Sequence, residues 1–256
     1  MSKSVKILNI ISMVTLVAFI AIVGYGYFQK LTVKEQKPIA TMEVEGYGTV
    51  KMELYPEIAP QAVSNFITLA NRGFYDGLTF HRIRKDFMIQ GGDKAGDGSG
   101  SAKISDLRDL KEGEEDKEYN IKGEFMINDF DNKLKMKEGV LAMARSSSYD
   151  SASSQFFIVT KDTPAIDGQY AGFGKVIEGM DVVHKIEEAE VKAKEGSGEN
   201  AEVSTPVNTI KINTIRVETN GIDYGMPNTL EPPKAPDYSS LYEQMGIDPS
   251  QIVTTE

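Results

Sequence analysis

The chain of 256 residues contains no cysteine and no tryptophan. The lack of cysteine excludes structural disulfides, thiol catalysis and thiolate metal sites. Only two histidines, His81 and His184, are present, and this argues against a His-based zinc site or a His-dependent catalytic triad. The formal net charge of −10 disfavours nonspecific nucleic-acid binding, which needs a basic face. Because neither a Walker-type loop nor a dinucleotide-binding fingerprint occurs, we expect no metal, no cofactor and no nucleic-acid partner.

A hydrophobic run without charges, residues 7–28, lies near the start of the chain. Its length matches the roughly 20 apolar residues that a bilayer requires, and no convincing small-x-small cleavage site follows it. The sequence therefore predicts a cytoplasmic N-terminus (1–6), a transmembrane anchor (7–28) and a linker (29–38). The globular part is expected on the extracytoplasmic side of the cell membrane. The alternative is a secreted protein whose signal peptide is cleaved.

Short alternating segments separated by turn residues make up most of the chain after residue 38. Two such segments flank Gly46-Tyr47-Gly48 and predict a hairpin over 39–55. Two helices are predicted, one with apolar residues at helical spacing between Val63 and Ala70, the other in the segment MDVVHKI. Many strands with few helices favour a mainly β fold, a closed antiparallel barrel capped by two α-helices.

Two segments differ in composition from this pattern. Residues 94–118 are rich in Gly, Asp, Glu and Lys, and they predict a long solvated loop rather than a calcium site, because the spacing does not match an EF-hand. Residues 218–256 carry five prolines among polar residues and predict an extended or partly disordered tail. A serine-rich loop around Tyr149 raises a hydrolase as a possibility, but no nucleophile elbow and no base accompany it.

In the stretch FHRIRKDFMIQGGD, Arg82 lies between the apolar residues Phe80 and Ile83, where strand alternation would place it on the same face as other apolar side chains. A guanidinium beside aromatic and thioether side chains is costly unless it is hydrogen-bonded or faces a cleft. Taken alone, the stretch allows two interpretations: a surface arginine on an edge strand, or an arginine in a functional cleft.

Four motifs in order, FHR, FMIQGGD, SSQFFI and FGKV, resemble the cyclophilin family of peptidyl-prolyl cis/trans isomerases. The resemblance runs from about Ile39 to Val217 and predicts a cyclophilin-like domain over 39–217 with an eight-stranded barrel. Together with the hydrophobic run, it suggests a bacterial, membrane-anchored member that assists the folding of exported proteins. The alternative is a noncatalytic peptide-binding or scaffolding module on the same fold.

The resemblance also implies roles for individual residues. Arg82 corresponds to the catalytic arginine of the family. The residues that correspond to its substrate-binding positions are Phe87, Met88, Gln90, Ala144, Arg145, Gln155, Phe157, Ile166 and Tyr170. Arg145 replaces the asparagine of many eukaryotic members, and Tyr170 replaces a histidine, a change that is common in bacterial-type members. Ala165 stands where cyclosporin-sensitive members carry tryptophan.

The implied reaction suits what the composition lacks. Rotation about a prolyl amide breaks no covalent bond, so neither a nucleophile nor a metal is needed. Its barrier is about 18–20 kcal/mol, and a dry pocket with a donor aimed at the amide nitrogen lowers it by favouring the twisted state. The expected partners are proline-containing unfolded or partly folded polypeptides.

Overall fold

A computed structural model describes residues 12–24, 37–194 and 201–232 of the chain. The chain divides into two units, Met1–Gln36 and Lys37–Glu256. The predicted N-terminus 1–6, most of the linker 29–38 and the end of the tail, 233–256, lie outside the described residues.

In the first unit, residues 12–24 form a helix, α1, whose side chains are all exposed. The described 13 residues span about 20 Å, whereas the hydrocarbon core of a bilayer is about 30 Å thick. Both ends of the predicted span 7–28 lie outside the described residues. Among the helices that the structure does describe, none is long and apolar enough to cross a membrane. This finding contradicts the membrane localisation that was predicted from the hydrophobic run; the bounds 7–28 of the predicted anchor are not tested by the described residues.

The second unit is mainly β. Its strands are β1 (Ile39–Val44), β2 (Gly48–Leu54), β3 (Arg82–Arg84), β4 (Met88–Gly91), β5 (Asn120–Ile121), β6 (Val140–Met143), β7 (Phe156–Val159), β8 (Gly172–Glu178), β9 (Val191–Ala193), β10 (Val203–Pro206), β11 (Ile212–Glu218) and β12 (Thr229–Leu230). Its helices are α2 (Pro60–Asn71), α3 (Ile104–Leu107) and α4 (Met180–Glu187), with 3-10 turns at Met126–Asn128 and Pro164–Ile166.

Eight strands form one antiparallel sheet in the order β11-β1-β2-β8-β6-β7-β4-β3. The sheet curls but does not close, because no ladder joins β3 to β11 within the described residues. The two ends meet instead through an isolated bridge between Thr79 and Lys211 and through single backbone bonds, such as the one from the N–H of Phe80 to the carbonyl of Ile210 (3.0 Å). The prediction of eight antiparallel strands is confirmed, and the prediction of a closed barrel is wrong. The three-residue β3 is too short to extend the pairing.

Strand alternation gives the sheet two apolar faces at β3, β4, β6 and β7. One face contributes to the main core through Ile83, Ile89, Leu141 and Ile158. The opposite face carries a second, smaller apolar cluster, built on Met88, Val140, Ala142, Phe157 and Val159. Successive residues of a strand point to opposite faces, so β6 and β7 can be apolar throughout and still build two separate surfaces. On the second face β3 places arginines and β4 places Gln90 beside the apolar cluster.

Three predicted elements are confirmed, the third being α4, which contains the predicted helical segment MDVVHKI. The hairpin is formed by β1 and β2, with Ile39 opposite Glu53 at its open end. Helix α2 buries the predicted stripe between Val63 and Ala70 and is followed by Gly73, whose φ of 79° suits glycine at a helix end.

Two pairings between short strands were not predicted. Strands β9 and β10 pair with each other between α4 and β11. Strand β12, in the predicted tail, pairs with β5, and the neighbouring Asn228 N–H donates to Gln61 Oε1 (2.6 Å). The described part of the tail, 218–232, therefore packs along the domain. Such short strands have too little periodicity to be recognised in sequence.

The N-terminus of α2 is capped from a distant part of the chain. Ala59, at the N-cap position, provides no side-chain hydrogen bond. Instead, the buried carboxylate of Glu124 accepts hydrogen bonds from the backbone N–H groups of Gln61 (3.0 Å) and Ala62 (2.9 Å). A carboxylate at this position satisfies two free donors and interacts favourably with the helix dipole.

We expect Glu124→Ala to lower the free energy of unfolding by about 1–3 kcal/mol, because it leaves buried N–H groups without an acceptor. Glu124→Gln keeps one acceptor oxygen and should lose less. The measurement is urea unfolding followed by circular dichroism, with Glu190→Ala as a control at an exposed acidic residue. Equal stability of Glu124→Ala and the unmodified chain would contradict the capping role.

Candidate active site

Strand register places three of the predicted site residues in one row. Arg82 on β3 lies opposite Gln90 on β4, and Gln90 lies opposite Phe157 on β7. Residues paired in register point to the same face of a sheet. The guanidinium, the amide and the aromatic ring therefore share the face that carries the second apolar cluster.

A cavity of about 450 Å³ opens on this face. Most of the predicted site residues line it: Arg82, Phe87, Met88, Gln90, Ala144, Arg145, Phe157 and Tyr170. Gln155 lines an adjoining cavity of about 240 Å³ together with Gln90, Ala144 and Arg145. Ile166 lines neither cavity; it is half-buried and packs against the second apolar cluster.

A chain of side-chain hydrogen bonds crosses the site. Arg82 Nη1 donates to Gln90 Oε1 (3.0 Å), and Gln90 Nε2 donates to Gln155 Oε1 (2.9 Å). Gln155 Nε2 in turn donates to the carbonyls of Gly98 (3.1 Å) and Gly100 (2.9 Å). Each amide uses its oxygen towards Arg82 and its nitrogen away from it, so the chain has one direction and holds the guanidinium in place.

The apolar part of the site lies beside this chain. Phe157 and Tyr170 meet edge to face, with ring centroids 5.4 Å apart and an interplanar angle of 89°. Met88 and Phe157 are buried, and Phe87 packs against the same cluster. The result is a concave aromatic and thioether surface next to a charged donor, a combination that suits an apolar ring attached to a polar amide.

Arg145 has a different environment from Arg82. Its guanidinium carbon lies 4.8 Å from the ring centroid of Tyr170, 5.2 Å from that of Tyr149 and 5.1 Å from that of Phe125. Its Nε and Nη2 both donate to the carbonyl of Gln169 (3.1 Å each). These contacts hold Arg145 as part of the wall between the two cavities.

His81 also lines the larger cavity, although the sequence did not single it out. It is 7% exposed, and neither ring nitrogen has a hydrogen-bond partner among the described residues. Burial is the main cause that lowers the pKa of His81 below its ordinary value, opposed by the carboxylate of Asp93. The imidazole is therefore held neutral beside Arg82, where a second cation would repel the guanidinium.

Asp93, directly before the predicted solvated loop 94–118, organises a turn. Its carboxylate accepts hydrogen bonds from the N–H groups of Ala95 (3.1 Å), Asp97 (2.7 Å) and Gly98 (2.6 Å). These bonds shape the loop that presents the carbonyls of Gly98 and Gly100 to Gln155.

The β9–β10 pair supplies further residues that sequence reasoning missed. Lys194, just after β9, and Ala201, Glu202, Ser204 and Thr205, in or just before β10, line the larger cavity. Glu202 binds Arg82 directly, at 2.6 Å from Nε and 2.9 Å from Nη2. The sequence contains only a weak signal for this pair of strands. Short segments in which apolar and polar residues alternate lie on both sides of an acidic segment that contains Gly and Ser, between the second predicted helix and the last strand.

The comparisons with known proteins agree with this geometry. The family model described as "cyclophilin type peptidyl-prolyl cis-trans isomerase/CLD" matches residues 39–217. A peptidyl-prolyl cis-trans isomerase-like 1 of Neurospora crassa is 41% identical over 140 residues, which cover 54% of this chain and 75% of the relative. The mouse protein of the same name is 36% identical over 166 residues, covering 64% of this chain and 84% of the relative.

A solved structure is also similar. It is that of a Cryptosporidium parvum cyclophilin type peptidyl-prolyl cis-trans isomerase in the presence of the dipeptide Ala-Pro. The TM-score is 0.55 and the identity 28%, over 70% of this chain and 98% of that one.

Not every relative is matched along its length. The chain covers 21% of peptidyl-prolyl cis-trans isomerase 9 of Schizosaccharomyces pombe, at 41% identity. These relatives are eukaryotic, and they do not support the predicted bacterial, membrane-anchored type. Together with the length of the described helices, they contradict the predicted localisation at a cell membrane.

The buried His81 predicts a dependence of stability on pH. Because the pKa of His81 is lower in the folded than in the unfolded chain, its contribution is fully present above the unfolded pKa, near 6.5, and is lost as the pH falls towards the folded pKa. We expect the free energy of unfolding to fall between pH 7 and pH 5, by at most about 1.4 kcal/mol per pH unit from this group. His81→Gln should remove that component. The free energy of unfolding in urea is measured against pH for both proteins, and parallel profiles would contradict the assignment. His184 is present in both proteins, so its contribution cancels.

Ala165 predicts weak binding of cyclosporin-type inhibitors. It is a small, exposed residue in the 3-10 turn Pro164–Ile166, at the position where sensitive members of the family carry tryptophan. Ala165→Trp should tighten inhibition about tenfold, which corresponds to roughly 1.4 kcal/mol of added contact and hydrogen bonding. The measurement is an inhibition constant for both proteins, with the uninhibited rates as control. Tight inhibition of the unmodified chain would contradict this prediction.

Proposed function

Since this chain belongs to the cyclophilin-type peptidyl-prolyl cis-trans isomerase family, we propose that it catalyses the cis/trans isomerisation of X-Pro bonds at the cavity around Arg82. The observation that carries the proposal is the position of Arg82. A charged donor, one third exposed, lies at the edge of an apolar cavity and is oriented by Gln90.

The cavity suits the proline ring. Phe87, Met88 and Phe157 offer apolar surface, and Tyr170 closes one side through its contact with Phe157. Binding the ring here would remove water from the X-Pro amide, whose nitrogen belongs to the ring, and bring that amide close to the guanidinium. In such partly dehydrated surroundings a charged donor interacts more strongly than it does in water.

Arg82 would act on the twisted amide. Rotation removes the amide resonance and leaves a lone pair on the prolyl nitrogen, which then accepts a hydrogen bond that the planar nitrogen cannot. A donor that is already in place stabilises this state more than either planar isomer, and this difference accelerates the reaction. Each tenfold acceleration needs about 1.4 kcal/mol of such preference. His81, whose pKa is lowered mainly by burial, adds no second positive charge beside Arg82.

The proposed substrates are proline-containing segments of unfolded or partly folded polypeptides. The relative crystallised in the presence of Ala-Pro supports a peptide of this kind as the ligand of the cavity. The proposed roles of Gln90, Gln155, Ala144 and Arg145 are contacts with the peptide on either side of the proline, along the adjoining cavity. A role in the folding of exported proteins depended on the membrane localisation and is not part of the proposal.

A second candidate, a noncatalytic module that binds X-Pro peptides, is favoured by one observation. The guanidinium of Arg82 is engaged by Glu202 rather than free for a substrate. A chain that binds an Ala-Pro peptide without accelerating its isomerisation would support this candidate.

We expect Arg82→Ala to reduce kcat/KM by about 10²-fold or more, the usual cost of removing one charge-stabilising donor. The rate is measured by NMR exchange spectroscopy on a tetrapeptide that contains Ala-Pro, and circular dichroism checks that the variant is folded. The matched control is Arg72→Ala, which removes an exposed arginine that pairs with Asp109 at the end of α2. Full activity of Arg82→Ala would refute the assigned role.

A further inference from the structure

The catalytic position is already occupied by a side chain of the same molecule. The carboxylate of Glu202 lies 2.6 Å from Nε and 2.9 Å from Nη2 of Arg82 and so covers one whole edge of the guanidinium. The third nitrogen, Nη1, donates to Gln90. All three nitrogens of Arg82 therefore have partners in the absence of a substrate.

Glu202 is itself held by more than one group. Its Oε2 also accepts a hydrogen bond from Nη1 of Arg84 (3.0 Å), on the same strand β3. The hydrogen bond from Arg82, followed by those from Ser204 and Arg84, lowers the pKa of Glu202 to about 2 although burial opposes this. The carboxylate therefore stays ionised throughout the range in which folding and activity are measured.

A second ion pair holds the end of β9 at the rim of the same cavity. Lys194 Nζ lies 3.2 Å from Oδ2 of Asp97 and donates to the carbonyl of the same residue (3.0 Å). Asp97 belongs to the loop organised by Asp93, which also supplies the carbonyls bound by Gln155. Both Lys194 and Glu202 line the cavity, so the position of Glu202 is set by the pairing of β9 with β10 and by contacts on both sides of the site.

The Nε and Nη2 groups of Arg82 cannot donate to the carboxylate of Glu202 and to a peptide at the same time. We propose that Glu202 is an internal competitor of the substrate for Arg82, so that a peptide gains the guanidinium only in molecules in which this ion pair is open. The inference rests on the proposed function, because it requires that Arg82 act on the peptide.

The competition has a defined kinetic form. If only a fraction of the molecules has Arg82 free, the apparent affinity for the peptide is reduced by that fraction. Once the peptide is bound, Glu202 is already displaced, and the rate at saturation is unaffected. Glu202 therefore raises KM and leaves kcat unchanged, whereas a residue that positions Arg82 for catalysis would raise kcat.

The decisive variant is Glu202→Gln, which keeps the size of the side chain and removes its charge. We expect kcat/KM for the Ala-Pro tetrapeptide to rise about 5- to 30-fold, through a lower KM at constant kcat. This is the factor by which loss of one ion pair would increase the population of molecules with Arg82 free. Glu190→Gln is the matched control, since it removes the same charge from an exposed residue just before β9 and should change neither constant. Arg84→Ala, which removes one of the two arginines that hold Glu202, should shift KM in the same direction by less.

Ionic strength provides an independent measurement. Because the pair is about one third exposed on both sides, salt should weaken it. With an uncharged peptide, raising the salt from about 0.05 to 0.5 M should increase kcat/KM of the unmodified chain and leave Glu202→Gln unchanged.

The outcomes separate this inference from the proposed function. If Glu202→Gln leaves kcat/KM unchanged or lowers it while Arg82→Ala abolishes activity, the competition is refuted and the isomerase function stands. If Glu202→Gln is more active and the double variant Arg82→Ala/Glu202→Gln is inactive, both stand. If Arg82→Ala keeps full activity, the function assigned to Arg82 falls, and the competition falls with it.

Discussion

The site depends on the alternation of side chains in four neighbouring strands. In β4, β7 and β6, residues of the main core alternate with residues of the second apolar cluster on the opposite face, and Arg82 of β3 and Gln90 of β4 lie on that opposite face. A one-residue shift in register would exchange the two sets. The same hydrogen-bonded ladder that builds the core therefore places Arg82, Gln90 and Phe157 in one row, without any loop having to position them.

The charge at this site is stabilised by a polar network on an apolar base. Arg82 is connected through Gln90 and Gln155 to backbone carbonyls of the loop that Asp93 shapes. Each amide has its donor and acceptor satisfied, so the network holds one orientation at little cost. His81 lies next to this network, and its burial keeps it uncharged. Glu202 places an opposite charge directly on Arg82, and it does so from a part of the chain that the four family motifs do not include.

An arginine that is oriented by one neighbour and occupied by another has two functional consequences. The orientation suits catalysis, since a donor fixed before the reaction needs no reorganisation when the amide twists. In the proposed competition, the occupation makes the same donor available only in part of the molecules. The strength of a single ion pair then sets the apparent affinity for a peptide, so Glu202 matters to the behaviour of the site although the motifs do not contain it.

Local pattern and motif predicted several elements and named many of the residues that line the cavity, but they did not predict the short strands or the way in which the chain encloses the cavity. Alternation and helical spacing predicted the first hairpin and α2, and four short motifs pointed to Arg82 and its neighbours, because both signals lie in adjacent residues. The open sheet, the cap that Glu124 provides for α2 and the contact between Glu202 and Arg82 join residues far apart in the chain. Their formation depends on pairing and burial, which no local pattern encodes. The sequence by itself determined which side chains could perform the chemistry. The tertiary structure alone decided that the carboxylate of Glu202, 120 residues away, binds Arg82 in the absence of a substrate, because only the folding of the chain brings the two together.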